Sequence, residues 1–407
     1  MFSTLVSVLL GLTGVAVSLH AIGMWATWRY LRRKERTAAA LPSELPPLSL
    51  LKPLKGDEDG LEANLISFYE QDYPAALQVV FTSTDADDPA LAVARRVAQR
   101  YPHVETAFVL ARPDYGMNPK VSNMHGGLQA VRHELFLQSD ANVRLRPGYL
   151  RALVGQMLAQ DASLIGSLVV GVGERTPGAT LENLQLTAFT APGLCMAEEL
   201  AGITCVLGKS MLLRRSEFEA MGGFGLVKDL LAEDYMLAQF YAQRGKRVAL
   251  TTLSVINANS ETRLPQFIKR HSRWLKMRAV VSTPGFIADL GSNPLPFAVG
   301  AVVASGFDAR LLPVLPFVYA YKCFWDAALL RKLRGHGLGR AQLWATPARD
   351  LMLAAVWFYA AFSRTTEWRG RKLVLGPDSI LLEAEAGGFG LRLLRRLGVL
   401  RGPVRLP

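Results

Sequence analysis

From Leu48 to Thr252 short apolar runs alternate with segments of helical period, and these two rhythms set the elements. Leu48-Ser-Leu-Leu-Lys-Pro53 reads as a first strand stopped by Pro53 and Gly56, Leu61–Tyr69 as a helix and Gln78–Ser83 as a second strand. The alternation continues with a helix over Leu91–Arg100, a strand over Glu105–Leu110, a helix over Asn118–Val131 with Pro119 near its start, and a strand over Glu134–Leu137. Strands separated by helices predict a mostly parallel sheet, with a ligand lying beyond the carboxyl ends of its strands.

Outside that stretch the pattern changes to long apolar runs. Met1 to Tyr30 holds no charge before Arg29, and at about 1.5 Å per residue it exceeds the roughly 30 Å of bilayer hydrocarbon. Arg29, Arg32, Arg33, Lys34 and Arg36 follow this run, whereas a cleaved signal peptide carries its charge in front. The segment therefore reads as a retained anchor, with Trp25, Trp28 and Tyr30 at the interface, the terminus outside and the bulk of the chain in the cytosol. A buried core helix is the competing account, weakened by the length. Pro294–Ser305 and Leu311–Leu330 predict a helical pair that returns to the cytosol at Arg331, Lys332, Arg334 and Arg340. Leu351–Phe362 is a third candidate, short enough to be re-entrant or interfacial as well as spanning. The tail from Leu391, with Arg392, Arg395, Arg396 and Arg401, has the pattern of a basic amphipathic stretch on a lipid surface.

With 407 residues, 50% of them apolar and 20% charged, disorder, collagen and small disulfide scaffolds are excluded. The net charge of +12 raises nucleic acid as a partner, but its distribution argues otherwise. Residues 1–46 carry +3, residues 331–407 carry +9, and the 284 residues between them balance to zero. Basic ends flanking apolar runs fit lipid headgroups, so the predicted surface partner is a membrane and not a nucleic acid. Cys195, Cys205 and Cys323 have no metal spacing and predict neither a zinc site nor a disulfide framework.

The polar clusters fall at the strand ends. Lys55-Gly-Asp57-Glu58-Asp59 follows the first strand, Asp85-Ala-Asp87-Asp88-Pro89 the second, and Ser139-Asp140-Ala-Asn142 the fourth. Taken singly, each is also what an ordinary solvated turn looks like; their repetition at successive strand ends points to a site. Carboxylates converging without His or Cys suit Mg2+ or Mn2+, and a metal among acids implies an anionic ligand such as a diphosphate. The i, i+2 spacing of Asp140 and Asn142 lets both address one ion. Lys120, at the start of a predicted helix, offers a cation beside free backbone donors, which suits phosphate, with a plain surface lysine as the alternative. Neither a Walker loop nor a dinucleotide fingerprint is present. Downstream, Glu233-Asp234 opens a helical pattern and Arg270-His-Ser-Arg273-Trp274 follows. A carboxylate there can serve as general base toward an acceptor hydroxyl, Arg273 can meet a departing diphosphate, and Trp274 can stack on an acceptor; an interfacial snorkelling Arg-Trp pair is the alternative.

Leu50-Leu-Lys-Pro-Leu-Lys-Gly56, Asp72-Tyr-Pro74, Asp87-Asp88-Pro89-Ala90, Asn118-Pro-Lys-Val-Ser-Asn123, Ser139-Asp140, Ala232-Glu-Asp-Tyr235 and Arg270-x-x-Arg273-Trp274 occur in that order. This ordered set resembles the family 2-related inverting glycosyltransferases, and most closely the ceramide glucosyltransferase family, family 21. The resemblance implies a GT-A fold: a mixed α/β sheet with helices on both faces, here with membrane helices at both ends. It implies that Lys55, Asp57, Asp88, Lys120, Asp140 and Arg270 bind a UDP-sugar donor. Asp140 and Asn142 would hold Mg2+ or Mn2+, Asp234 would be the base, and Arg273 and Trp274 would close the site over donor and acceptor. The implied acceptor is a lipid hydroxyl, that of ceramide first. The enzyme would be an integral, multi-pass membrane protein with its catalytic domain on the cytosolic face, the inner membrane if bacterial.

The expected organisation is an anchor over 1–36, a catalytic domain over 45–260, interfacial helices over 261–292, membrane or re-entrant helices over 293–365 and a basic tail over 366–407. Leu181–Val206 departs from the animal ceramide enzymes: it holds no histidine and is one residue longer. Hopanoid glycosyltransferases share the same aspartates and Arg-Trp motif, so another lipid acceptor, with UDP-N-acetylglucosamine or UDP-glucuronate as donor, stays open. A catalytically inactive membrane scaffold is the reading from a different class. A processive synthase would need more membrane helices than these.

Overall fold

The computed structural model describes residues 3–36, 44–56, 58–339, 342–368 and 371–383. The chain opens with α1 (Thr4–Arg36), then alternates β1 (Leu48–Pro53), α2 (Leu61–Tyr69), β2 (Leu77–Ser83), α3 (Pro89–Arg100), β3 (Glu105–Leu110), α4 (Pro119–Leu128) and β4 (Leu135–Gln138). These agree closely with the predicted elements. There follow β5 (Val143–Arg144), α5 (Tyr149–Ala159), β6 (Leu164–Val172), α6 (Pro177–Gln185), α7 (Ala191–Ala201), β7 (Met211–Arg214), α8 (Arg215–Ala220), α9 (Glu233–Gln243) and β8 (Val248–Ala258).

Eight strands form one sheet in the order β3-β2-β1-β4-β7-β6-β8-β5. The β3-β2-β1-β4 half is parallel, as strands joined by helices must be. The other half departs from the mostly parallel expectation: β7 runs antiparallel to both β4 and β6, and β5 antiparallel to β8. The result is a mixed α/β sheet. One core packs α2, α3 and α5 on one face through Leu65, Phe68, Ala94, Leu153 and Val154; α4, α8 and α9 cover the other through Val121, Met124, Phe218 and Leu237. β1 adjoins both β2 and β4, so the chain switches direction across the sheet there, which opens a crevice at the carboxyl ends of β1 and β4.

The remaining helices are α10 (Leu264–Val281), α11 (Thr283–Gly291), α12 (Pro294–Ala304), α13 (Val314–Arg334) and α14 (Ala345–Phe362). Among the described residues α1 alone is long and apolar enough to cross a membrane by itself; α11 and α12, meeting at 53°, could do so together as one broken span. Leu5, Val8, Leu12, Val15, Leu19 and Ile22 make an exposed apolar stripe along α1 at alternating spacings of three and four, the pattern of one helix face. Its other side buries Val6 against Val302 of α12. The charged end of α1 is not a free headgroup surface. Arg29 and Arg33 pair with Glu199 at 2.7 and 2.9 Å, and Lys34 pairs with Glu198 at 3.2 Å, so much of the predicted membrane-surface charge fastens α1 to α7. Tyr30, expected at the lipid interface, is buried instead, and its hydroxyl donates to Leu250 O at 2.7 Å in β8.

Buried charge ties the apolar helices together. Arg349 lies between Asp326 and Asp350 at 3.1 and 2.6 Å, and Lys322 meets Asp350 at 3.4 Å and His20 Nε2 at 3.2 Å. These side chains come from α1, α13 and α14, which explains why α13 tolerates charge in an apolar run: each ion has a partner. The expected tail also contains structure. β9 (Thr365–Trp368), β10 (Arg371–Leu375) and β11 (Leu381–Glu383) form an antiparallel sheet. The amphipathic stretch expected from Leu391 lies outside the described residues.

Arg349→Met leaves Asp326 buried without its ion partner and is expected to cost about 3–5 kcal/mol, read as a lower Tm of the detergent-solubilised protein. Adding Asp326→Leu leaves the Lys322–Asp350 pair intact and should recover part of the loss. A double variant no more stable than Arg349→Met would show that the pair does not hold these helices.

Candidate active site

The antiparallel run of β7 decides which residues meet at the crevice. Gln138 at the end of β4 pairs with Met211 at the start of β7, so Ser139 and Asp140 emerge beside Lys209 and Ser210. Ser139 Oγ donates to Lys209 O at 2.9 Å, and the hydroxyls of Ser210 and Tyr149 meet at 2.6 Å, which fixes the turn before β7. The cleft there, about 120 Å³, is lined by Lys55, Glu58, Lys120, Asp140, Asn142 and Lys209 among others. A larger hollow, about 390 Å³, lies beside the far end of α9 between Ile203 and Arg247, and no carboxylate lines it.

Lys120 Nζ bridges Asp140 Oδ1 and Glu233 Oε1, each at 2.9 Å, and Lys209 Nζ reaches Asp140 Oδ2 at 3.0 Å. The amine of buried Lys52, its pKa pushed well below the usual lysine value by burial, donates to Asp140 O at 2.9 Å and packs over the Phe68 ring. Burial alone would raise the Asp140 pKa, but Lys120 and Lys209 outweigh it and hold the carboxyl well below the usual range. Burial would likewise lower that of Lys120, and the charges of Asp140, Glu233 and Asp234 push it up instead. Glu233 goes the other way: burial raises it, and Lys120 offsets this only in part.

Asp234 joins the cluster through Gly208, whose N–H donates to Asp234 Oδ2 at 2.7 Å; the Tyr235 N–H donates to Oδ1 at 2.8 Å. A Cβ on Gly208 would come within 2.6 Å of Lys120 Nζ and 3.3 Å of Asp234 Oδ2, so a side chain there would displace the ammonium. The approach to Asp234 is pinned from two sides. Asn118 Nδ2 donates to Leu230 O at 2.7 Å, while Leu231 N donates to Ser379 O at 2.9 Å and Ala232 N to Ser379 Oγ at 3.0 Å. The small sheet near the end of the chain thus holds the loop that carries Glu233 and Asp234. Nothing in the sequence pattern of residues 366–383 signalled that.

Other sequence-predicted residues land differently. Asp88 does not line the cleft: its carboxylate caps α3 at Ala90 N, 3.0 Å, and accepts from Gly56 N at 2.9 Å, so it shapes the Lys55–Gly56 turn. The backbone donors at the start of α4 are not free for phosphate, because Asn118 Oδ1 accepts from Lys120 N and Val121 N at 2.9 and 3.2 Å; only the Lys120 side chain remains. Asp57 lies outside the described residues. Arg270 pairs with buried Glu182 at 3.0 Å, and its charge also reaches Glu58. His271 takes the other Glu182 oxygen at 3.1 Å and meets Trp274 edge to face at 5.0 Å. Arg273 lies over the Trp368 ring at 5.6 Å. α10 therefore flanks the cleft and the small sheet without placing Arg273 or Trp274 on Asp140.

The expected metal pair is filled by an ammonium. Lys209 Nζ sits 2.7 Å from Asn142 Oδ1 as well as 3.0 Å from Asp140 Oδ2. Among the described residues no group of three or more His, Cys, Asp or Glu side chains could hold a metal ion. As arranged, Asp140 and Asn142 do not fit a divalent cation unless Lys209 withdraws. Lys209 is the cleft residue that sequence reasoning missed, with Lys52 buried behind it; the signal for Lys209 was its place directly after Gly208.

The family model for glycosyl transferase family 21 matches residues 8–381. The chain is 27% identical over 235 residues to ceramide glucosyltransferase 1 of Caenorhabditis elegans, covering 58% of this chain and 50% of that protein. It is 23% identical over 339 residues to ceramide glucosyltransferase 3 of the same organism, covering 80% and 72%. Against the ceramide glucosyltransferase of Komagataella phaffii the identity is 25% over 301 residues, covering 60% and 59%. The chain thus spans between 50% and 72% of the length of these relatives. Among solved structures it is similar to a mannosyltransferase of Pyrobaculum calidifontis in complex with GDP-Man and Mn2+, at 18% identity and a TM-score of 0.48, covering 86% of this chain and 99% of that one.

Glu182 supplies a pH prediction. Burial would raise its pKa, but His271 and Arg270 hold it down at about 2, against 4.5 for a free carboxyl. A depressed folded pKa stabilises above the unfolded value and is lost as pH falls toward the folded one. The Tm of the protein should therefore exceed that of Glu182→Gln above pH 4.5 and converge on it between pH 4.5 and about 2. Parallel curves over that range would contradict the pairing.

Proposed function

The chain belongs to glycosyl transferase family 21, and on that premise we propose that it moves glucose from UDP-glucose to the primary hydroxyl of ceramide, with inversion, at a membrane surface. The observation that carries this reading is the convergence of Asp140, Lys120, Glu233 and Asp234 around Gly208 at the β1/β4 edge. That edge is where an open α/β sheet of the GT-A kind binds a nucleotide-sugar. Half-buried ammonium groups beside one carboxylate suit a diphosphate.

In this reading Asp234 takes the proton of the acceptor hydroxyl. The hydroxyl oxygen forms its bond to the anomeric carbon as the bond from that carbon to the diphosphate breaks, and UDP leaves with the electron pair. One displacement inverts the configuration, and no covalent intermediate is needed. Each Asp234 oxygen accepts one backbone N–H, which leaves lone pairs for the substrate proton. Lys120 meets charge as it develops on the leaving diphosphate. Mg2+ or Mn2+ was expected at Asp140 and Asn142; Lys209 fills that place, so every step is written through the chain's own groups.

A lipid acceptor is supported by the exposed apolar stripe of α1 and by the bent α11–α12 pair following α10. In this reading the protein is multi-pass, with its catalytic domain on the cytosolic side by the positive-inside rule; among the described residues α1 alone, or α1 with the bent α11–α12 pair, is long and apolar enough to span. A second acceptor class, a hopanoid or other polyisoprenoid with a different UDP-sugar, is favoured by one feature. A π turn over Leu186–Thr190 sits between α6 and α7, and such a turn accommodates one extra residue in a helix. This is the segment that is one residue longer than in the animal ceramide enzymes.

Mass spectrometry of lipids from an expressing host should show a hexosylceramide that is absent without the gene; a sugar-bearing hopanoid would select the second acceptor. Asp234→Asn should lower transfer by about 10²–10⁴-fold while UDP binding stays within about threefold. Undiminished transfer by purified Asp234→Asn would remove Asp234 from the base role.

A further inference from the structure

One ammonium occupies the gap between the two side chains whose spacing suits a divalent cation. Lys209 Nζ lies 2.7 Å from Asn142 Oδ1 and 3.0 Å from Asp140 Oδ2, and Lys120 Nζ takes the other Asp140 oxygen at 2.9 Å. Counted at Asp140 alone, two ammonium groups on the carboxylate leave one positive charge, which Glu233 shares through Lys120 at 2.9 Å. A divalent ion bound by that carboxylate alone would leave the same charge. At Asp140 itself, ammonium groups thus stand on both carboxylate oxygens, where a divalent ion would bind.

The position of Lys209 is built in. Its carbonyl accepts from Ser139 Oγ at 2.9 Å, the preceding Gly208 N–H holds Asp234 at 2.7 Å, and the following Ser210 hydroxyl meets Tyr149 at 2.6 Å. The turn is thus fastened to the end of β4, to α9 and to α5. A solvated surface lysine has no such anchorage. The same turn places the Lys209 ammonium one residue from the amide that holds Asp234, so that ammonium and that carboxylate share one support. Buried Lys52 adds an amine beneath Asp140, bonded to its carbonyl oxygen at 2.9 Å, and burial holds its pKa well below the usual lysine value.

We propose that Lys209, acting with Lys120, does the work of a divalent cation in this chain: the two ammonium groups bind the donor diphosphate and neutralise it as it leaves, so that UDP binds without metal. This rests on the nucleotide-sugar reading of the cleft. The anion displaces or bridges the contacts that Asp140 and Asn142 make with Lys209, and a metal ion can enter only where the lysine is absent.

The test is calorimetric titration of UDP into the full-length, detergent-solubilised protein in excess chelator and again with Mn2+, together with Mn2+ binding read by electron paramagnetic resonance. Wild type should bind UDP in chelator within about threefold of its affinity with Mn2+. Lys209→Met should lose about 10–100-fold in chelator, the size expected for a charge-assisted contact, and should regain affinity with Mn2+ while gaining a Mn2+ signal that wild type lacks. Lys209→Arg keeps the charge and should still bind UDP in chelator, which guards against a folding failure of the Met variant. UDP binding by wild type that requires Mn2+, or by Lys209→Met equal to wild type in chelator, overturns the inference and leaves the donor reading standing. Folded wild type that binds no UDP under either condition overturns both.

Discussion

Asp140 sits where β1 and β4 end, and the charges of the cleft are arranged about it. Lys120 and Lys209 hold its two oxygens and Lys52 holds its carbonyl. Lys120 links it onward to Glu233, and Gly208, next to Lys209, links it to Asp234. Partly buried ions are stable only when paired, so removing any one member would leave another exposed to an unfavourable field. The resting cleft is therefore a closed electrostatic circuit. An anionic donor that takes the Lys120 or Lys209 ammonium must therefore share it with Asp140 or Glu233.

The catalytic half of the fold was legible from periodicity because its strands are short, apolar and spaced by amphipathic helices. β1 to β4 and α2 to α4 were found within a few residues of their ends. Asp140, Lys120 and Asp234 were legible for a second reason, namely polar side chains just after strands or at a helix start. Lys209 was not, because it precedes its strand. A reading that assumes parallel strands looks for ligands after each one, whereas antiparallel β7 delivers its first residues to the same edge. Asp88 shows the opposite case: an Asp before Pro89 caps a helix by the same chemistry that makes it a candidate ligand.

At the two ends of the chain, composition showed what kind of surface was present but not what would cover it. Arg29, Arg33 and Lys34 were read as headgroup charge, yet Glu198 and Glu199 lie within reach of them only because α7 packs along α1. The segment called a tail forms β9 to β11, whose alternation is too short to register, and Ser379 near its end steadies the loop before Asp234. The apolar helices and the catalytic cleft are thereby joined. α10 lies between them, bonded to Glu182 on one side through Arg270 and to Thr365 on the other through Lys276 at 2.7 Å.

The central claim is that the charged cleft at the β1/β4 edge receives the diphosphate of a nucleotide-sugar. Electron cryomicroscopy of the full-length protein with UDP in lipid nanodiscs tests it most directly. Diphosphate density is expected within about 3 Å of the Lys120 and Lys209 ammonium groups. Density in the hollow between Ile203 and Arg247, or beside Asp88 and away from both lysines, would contradict it.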